Sequence, residues 1–336
     1  GLEMMLWGKL NLTLDYYWER RKDILIQRAS LPSMAGFDAS IYANMGEMDN
    51  KGVDANLEYQ TRIGNKVGLR LFGNLTYSKN KIVFRDEPAM QYAYQKSEGT
   101  RYGEFYGYIA EGYFQSEEEI KKSPRQMREL APGDIKYKDL NDDGVIDAND
   151  QCYLGKSWFP SWSYGMGFNI NYHNFDLALF FQGVSDVSIM ANGGSIDTGN
   201  GDWGASGVGI VPFTGMGLNP SNVITKALDR WTADNPRADA WYPRMTANAT
   251  TNDNNYVNST HWLKDGSYLR LKQASLGYTL ENKKLMDKGI EYLYFYLSGQ
   301  NLLTFSKFKL WDPELGSNGA KYPLSRMVTL GMRVSF

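Results

Sequence analysis

Ser325-Arg326-Met327-Val328-Thr329-Leu330-Gly331-Met332-Arg333-Val334-Ser335-Phe336 is the stretch that decides the fold class. Val328, Leu330, Met332, Val334 and Phe336 share one parity; Thr329, Gly331, Arg333 and Ser335 share the other. A period of two puts an apolar row on one face of a strand and a polar row on the opposite face. A strand with Arg333 on its inner row and a wholly apolar outer row suits a wall between water and lipid. The pattern recurs along the chain and predicts an all-β fold, a transmembrane antiparallel β-barrel.

Outward from that stretch, about eight strands follow the same alternation. The first spans about 8–26, with Leu10, Leu12, Leu14, Tyr16 and Trp18 on one face. The second (about 46–62) opposes Val53, Ala55, Leu57 and Tyr59 to Asp54, Asn56, Glu58 and Gln60. The third (about 67–83) opposes Val67, Leu69, Leu71, Leu75 and Tyr77 to Arg70, Asn74, Thr76 and Ser78. The fourth (about 162–172) and fifth (about 175–184) carry Tyr164, Met166, Phe168 and Ile170, then Phe175, Leu177, Leu179 and Phe181. The sixth (about 268–280) and seventh (about 290–303) alternate less cleanly.

The connections alternate too. Strands two and three meet around Gly64-Asn65, four and five at His173-Asn174, and six and seven across a charged segment around 283–288. The others are long: about 27–45, 84–160, 185–267 and 304–324. Outer-membrane barrels have short periplasmic turns and long extracellular loops, and a terminal strand ending on the periplasmic side puts every long loop outside. Within these loops, Ser116-Glu117-Glu118-Glu119 is a capping box that opens a helix interrupted at Pro124. Ser221 is placed to cap a second helix, with Ile224, Ala227, Leu228 and Trp231 on one face. The stretch 191–217 reads as irregular loop.

Composition agrees. With 23 Tyr, 15 Phe and 9 Trp among 336 residues, the chain is aromatic-rich, yet its mean hydropathy is only -0.48, as expected of aromatic girdles around a polar interior. The same composition fits a secreted, calcium-stabilised, sugar-binding β-sandwich. No apolar run approaches the roughly 18 residues of a membrane helix. A net charge of -2 gives no reason to expect nucleic acid. A single cysteine, Cys152, excludes an internal disulfide framework. No signal peptide opens the sequence, and the expectation is that this is the later part of a longer protein.

The sharpest motif is Asp139-Leu140-Asn141-Asp142-Asp143-Gly144-Val145-Ile146-Asp147-Ala148-Asn149-Asp150. Calcium takes six to eight oxygen ligands from a loop that wraps it. Asp139, Asn141, Asp143, Asp147 and Asp150 fall at positions 1, 3, 5, 9 and 12, Val145 offers its carbonyl at position 7, and Gly144 permits the turn. Position 12 is Asp, shorter than the usual Glu. The competing reading is a solvated acidic turn. The expected cofactor is a structural calcium that staples a long loop. His173 and His261, the only histidines, lack partners at ligand spacing and read as surface or packing residues. Cys152 has no histidine nearby in sequence to activate it. No carboxylate pair is selected for catalysis, so no enzyme is expected. Trp203, Trp231, Trp241, Tyr242 and Trp262 cluster in the longest loop; they suit either a sugar or peptide surface or, the favoured reading, packing of the loop.

Six segments together resemble the SusC/RagA-type TonB-dependent outer-membrane transporters of Bacteroidetes. They are Asn44-Met45-Gly46 leading into Asn50-Lys51-Gly52-Val53; Gly107-Tyr108 with Glu111-Gly112-Tyr113-Phe114-Gln115-Ser116; Gly133-Asp134-Ile135-Lys136-Tyr137-Lys138-Asp139; Arg230-Trp231-Thr232 with Asn235-Pro236 and Pro243-Arg244; Asp265-Gly266-Ser267-Tyr268-Leu269-Arg270-Leu271-Lys272; and Asn301-Leu302-Leu303-Thr304-Phe305 followed by Asp312-Pro313-Glu314. The resemblance implies the C-terminal strands of a 22-stranded barrel in a Gram-negative outer membrane. It implies a plug domain and TonB-contacting region outside this chain, a SusD-like surface lipoprotein over the loops, and import of oligosaccharides or peptides. A siderophore or cobalamin receptor is the alternative within transport, although these six segments would be unexpected there.

Overall fold

The computed structural model describes residues 1–31, 34, 36, 40–64, 66–192, 225–245, 254–287, 289–317, 319 and 322–336. Among the described residues, fifteen strands run in chain order: β1 Leu2–Leu6, β2 Leu10–Gln27, β3 Tyr42–Ile63, β4 Val67–Phe84, β5 Glu104–Gly107, β6 Ala110–Tyr113, β7 Ile135–Tyr137, β8 Cys152–Ser157, β9 Trp162–Tyr172, β10 Phe175–Ser185, β11 Ser188–Met190, β12 Leu263–Asp265, β13 Tyr268–Leu280, β14 Tyr292–Ser306 and β15 Met327–Ser335. Nine of them form one antiparallel sheet in the order β1-β2-β3-β4-β9-β10-β13-β14-β15. Every neighbour in that order is also the next long strand in sequence, so the sheet is an up-and-down meander.

The eight expected strands are all present. The ninth, β1, turns back onto β2 through Trp7 and Gly8, both with positive φ (54° and 62°). Such a left-handed pair is what a tight hairpin turn requires. The short connections, at Trp7-Gly8-Lys9, around Gly64, at His173-Asn174 and at 281–291, all lie at one end of the sheet. The long ones lie at the other end. Asn65, in the second of these turns, lies outside the described residues.

Register explains why the sheet is a membrane wall. Leu6, Leu10, Tyr59, Leu71, Phe168, Leu179, Ala274, Gly299 and Val328 stand side by side across all nine strands. One residue along the strands, on the other face, stand Gln60, Arg70, Asn169, Ala178, Ser275, Ser298 and Thr329. The apolar face is open to its surroundings, with Val328 69% and Leu330 80% exposed. A second sheet covering it, as a sandwich requires, is not found among the described residues. Aromatic rows bound the face at both ends. Tyr16, Tyr77 and Trp162 align toward the long loops; Tyr172, Phe175, Tyr278 and Phe295 align toward the short turns. From Trp162 to Tyr172 is ten residues on β9, about 33 Å along a strand, or about 25 Å across at the ~40° tilt of barrel strands. That is the height of an outer-membrane apolar band. No described helix is long and apolar enough to cross a membrane; in this fold the strands cross.

Two irregularities account for the weaker alternation late in the chain. β13 carries one extra residue, Lys272, relative to β10, and β14 carries one extra relative to β13 between Gln300 and Leu303. The bulge at Lys272 moves the outward parity of β13 from Leu269 and Leu271 to Ala274, Leu276 and Tyr278. On β14, Asn301 takes positive φ (53°) beside the same bulge. On the polar face, aromatic rings lie across glycines of adjoining strands: Tyr17 over Gly52, Phe72 over Gly167, Phe180 over Gly165, Tyr296 over Gly331. A Cβ at these glycines would crowd the ring.

Candidate functional site

The long connections do not hang loose. Those between β4 and β9 and between β10 and β13 fold together into a dome at one end of the wall. They share backbone pairing: Tyr108 N–H donates to Asn258 O at 2.9 Å and Thr260 N–H to Tyr108 O at 3.0 Å. Small strand pairs (β5 with β8, β6 with β7, β11 with β12) supply the rest of its frame. Its core holds Tyr113, Ile135, Tyr137, Ile146, Trp231, Tyr242 and Trp262. The cluster of indoles and phenols thus resolves into packing: Tyr242 and Trp262 are fully buried and Trp231 nearly so. Trp241, partly buried against this core, lines a cavity. Trp203 lies outside the described residues.

Many polar groups inside the dome are matched, although Trp231 Nε1, Tyr242 Oη and Tyr256 Oη are buried with no hydrogen-bond partner. Asp134, fully buried, accepts from Ala131 N (2.8 Å), Asn255 Nδ2 (2.7 Å) and Arg244 Nη2 (2.9 Å). Gln126 donates to Asn254 Oδ1 at 2.8 Å, and Trp262 Nε1 donates to Asn255 O at 2.7 Å. A second staple ties the wall to the last long connection. Arg270 on β13, 1% exposed, donates through Nη2 to both carboxylate oxygens of Asp312 (2.6 and 2.8 Å), while Tyr268 Oη donates to Glu314 Oε1 at 2.7 Å. Neither pairing was foreseen, although each partner stands in one of the six family-like segments.

Of the expected loop helices, α1 (Glu117–Lys122) forms as anticipated. Ser116 Oγ accepts from Glu119 N at 3.2 Å, and the helix ends before Pro124. The second is corrected: Thr225–Leu228 is a short 3-10 turn whose Ala227 is buried while Leu228 is 76% exposed, so the two do not share one packed face. Ser221, Ile224 and most of 191–217 lie outside the described residues.

The acidic loop closes on itself. Gly144, at φ 82°, donates its N–H to Asp139 Oδ2 at 2.8 Å. Val145 N donates to Asp143 Oδ1 (2.8 Å), and Asn141 Nδ2 to Asp143 Oδ2 (2.8 Å). Asp147 Oδ1 accepts from Asn149 N (2.7 Å). Asp150, fully buried, accepts from Leu140 N and Asp147 N. Asp139 Oδ1 is buried with no hydrogen-bond partner. Among the described residues, no three His, Cys, Asp or Glu side chains converge in a metal-like group.

His173 sits exposed in its turn at positive φ. His261 is half-buried, its Nε2 3.1 Å from Trp241 O and 3.4 Å from Tyr113 Oη. Burial, with repulsion from Lys264, pushes its imidazole down to about 4. Cys152 is a buried free thiol, and burial pushes it up, away from the reactive thiolate.

The wall, the dome and the segregated loops match known proteins along the whole chain. TonB-dependent receptor P3 of Formosa agariphila is 27% identical over 365 residues, covering 100% of this chain and 33% of the relative. SusC of Bacteroides thetaiotaomicron, a TonB-dependent receptor, is 22% identical over 98% of this chain and 30% of its own length. The chain is similar to SusC/RagA-type TonB-dependent receptors. Its fold superposes on the RagAB peptide importer in the closed-closed state with a TM-score of 0.69 at 23% identity, covering 98% of this chain and 34% of that one. No family model matches. The chain spans about a third of the length of the curated relatives it matches. The SusC-like chain is thus an outer-membrane β-barrel portion, and the sandwich alternative falls.

Proposed function

We propose that the chain is the C-terminal wall and outer dome of an active importer. It would carry oligosaccharides or peptides inward, with a SusD-like lipoprotein over the loops and energy delivered through TonB by a region outside these residues. The observation that supports this best is the pairing of a lipid-facing wall with a cross-braced dome at its long-loop end. Such a dome offers a partner a firm surface, which mobile loops would not. The role is transport, with no catalytic step. The acidic loop takes one divalent cation, calcium by its all-oxygen donors, held by Asp139, Asn141, Asp143, the Val145 carbonyl, Asp147 and Asp150. The unpartnered Asp139 Oδ1 supports this. Bound there, the ion would brace the loop against the dome.

Uptake tests the proposal. Cells carrying the complete protein and its neighbouring lipoprotein should accumulate labelled oligosaccharide or peptide only while TonB is intact. Equal uptake without TonB would overturn the reading.

A further inference from the structure

Beside the dome lies a cavity of about 640 Å³ that the transport reading leaves without a role. This is within the size range of ligand sites. The Trp241 indole, the ring of Phe308, Leu228 and Leu310 line it. Lysines gather at the same cavity: Lys226, Lys264, Lys307 and Lys309, against the two acids Asp229 and Asp265.

The acids do not neutralise the set. Asp229 is engaged by Lys226 (2.7 Å) and by Arg237 (3.2 Å). Asp265 accepts from Ser267 N (2.9 Å) and lies 3.9 Å from the exposed Lys307. Among the described residues, Lys264 and Lys309 make no ion pair. Lys264 Nζ donates to His261 O at 2.6 Å and lies 5.2 Å from the Trp241 ring centre. An ammonium has three donors, so two remain. Burial, then repulsion from Lys226, holds this ammonium below the usual lysine range. A bound anion would relieve both effects.

We infer that this cavity binds the C-terminal end of a peptide, its carboxylate between Lys264 and Lys309 and an apolar last side chain against Trp241, Phe308 and Leu228. The apolar walls select this ligand. A sugar acid carries a hydroxyl on nearly every carbon and offers little apolar surface to Leu228, Phe308 and Leu310. A phosphate group offers no apolar surface to these walls, and no arginine lines the cavity among the described residues. A peptide end needs only an ammonium pair and an apolar wall. The inference rests on the import reading for the origin of the peptide, and it narrows the imported class.

Binding can be measured without transport, so the two readings fail separately. The complete protein, purified in detergent, is titrated calorimetrically with the peptide Ala-Gly-Ala-Phe, with its C-terminal amide, and with a trigalacturonate. The free acid should bind at least tenfold more tightly than the amide. Lys309→Gln, at a surface side chain, should remove most of that difference, as should Lys264→Met, with Leu228→Ala weakening acid and amide alike. Equal affinity for acid and amide would overturn the inference, as would tighter binding of the trigalacturonate or no binding at all. TonB-dependent uptake could survive any of these results.

Discussion

Arg244 reaches across 110 residues of sequence to form an ion pair, at 2.6 Å, with the fully buried Asp134. The two residues come from different long connections, so the pair locks one half of the dome to the other. Removing one partner of a buried pair strands the other charge, which costs about 3–5 kcal/mol. Arg244→Met should therefore loosen the dome while the wall stays intact. Limited proteolysis should cut the long loops faster, and the heat-modifiable mobility of the folded barrel on gels should not change. Unchanged proteolysis would show that the pair does not hold the dome together.

The wall makes its own prediction. Leu177 and Leu330 stand in the same row on the apolar face. Arg at either site should cost roughly 2–4 kcal/mol in lipid. Arg at Thr329, on the polar face, should cost far less. Equilibrium folding into vesicles would measure both. A larger penalty at Thr329 than at Leu330 would mean that the faces are reversed.

The sheet is open between β1 and β15. Leu6 and Val328 lie in one row at opposite edges, with seven strands between them. Lipid cannot satisfy unpaired backbone groups, so each edge needs a strand from elsewhere. Cysteines at these two positions should not cross-link within the chain. Efficient cross-linking would mean that the nine strands close on themselves into a narrow barrel.

Cation binding is checked by metal content and melting. The protein should retain about one calcium per chain after dialysis, and chelation should lower the melting temperature of the dome. Asp139→Ala should abolish both effects without unfolding the wall. Stoichiometric calcium that persists in Asp139→Ala would place the ion elsewhere.

His261 gives the dome a pH dependence. Its folded value of about 4 lies below the ordinary histidine value near 6.5. Between these values the unfolded chain binds a proton that the folded one refuses. Dome stability is thus full above about pH 6.5 and declines as pH falls toward 4, by at most about 3 kcal/mol. The groups around the ring are Lys264, the Trp241 carbonyl and the Tyr113 hydroxyl. His261→Gln should flatten this segment of the pH profile, as read by loop proteolysis. An unchanged profile would assign the dependence to other groups.

How far the sequence speaks depends on the range of the interaction. The eight strands were legible because a period of two is local; β9 and β13 match their expected limits, 162–172 and 268–280. Strand β1 was hidden because Trp7-Gly8 turns without the usual Asn-Gly or Asp-Gly signal, so Leu2–Leu6 stood outside the first strand expected from about residue 8. The bulge at Lys272 blurred β13 because one extra residue reverses parity halfway. Of the dome, only α1 and the packing of its indoles were legible. Strands of three to six residues such as β7 and β8 have too little pattern of their own, and they exist because partners more than a hundred residues away pack over them. The acidic loop was legible as a turn, whereas the backbone N–H groups that both oxygens of Asp150 accept could not be read from spacing. The cavity at Trp241 could not be read from spacing, since its lysines come from three separate segments.

The rings laid across Gly52, Gly165, Gly167 and Gly331 also bear on the import proposed above. A tyrosine or phenylalanine standing straight off the polar face would project from the wall by its full length. Laid over a glycine, where no Cβ lifts it, it takes up less of that space. In the proposed importer these glycines would keep the interior side of the wall low. Alanine at Gly167 would press on Phe72 and push its ring inward.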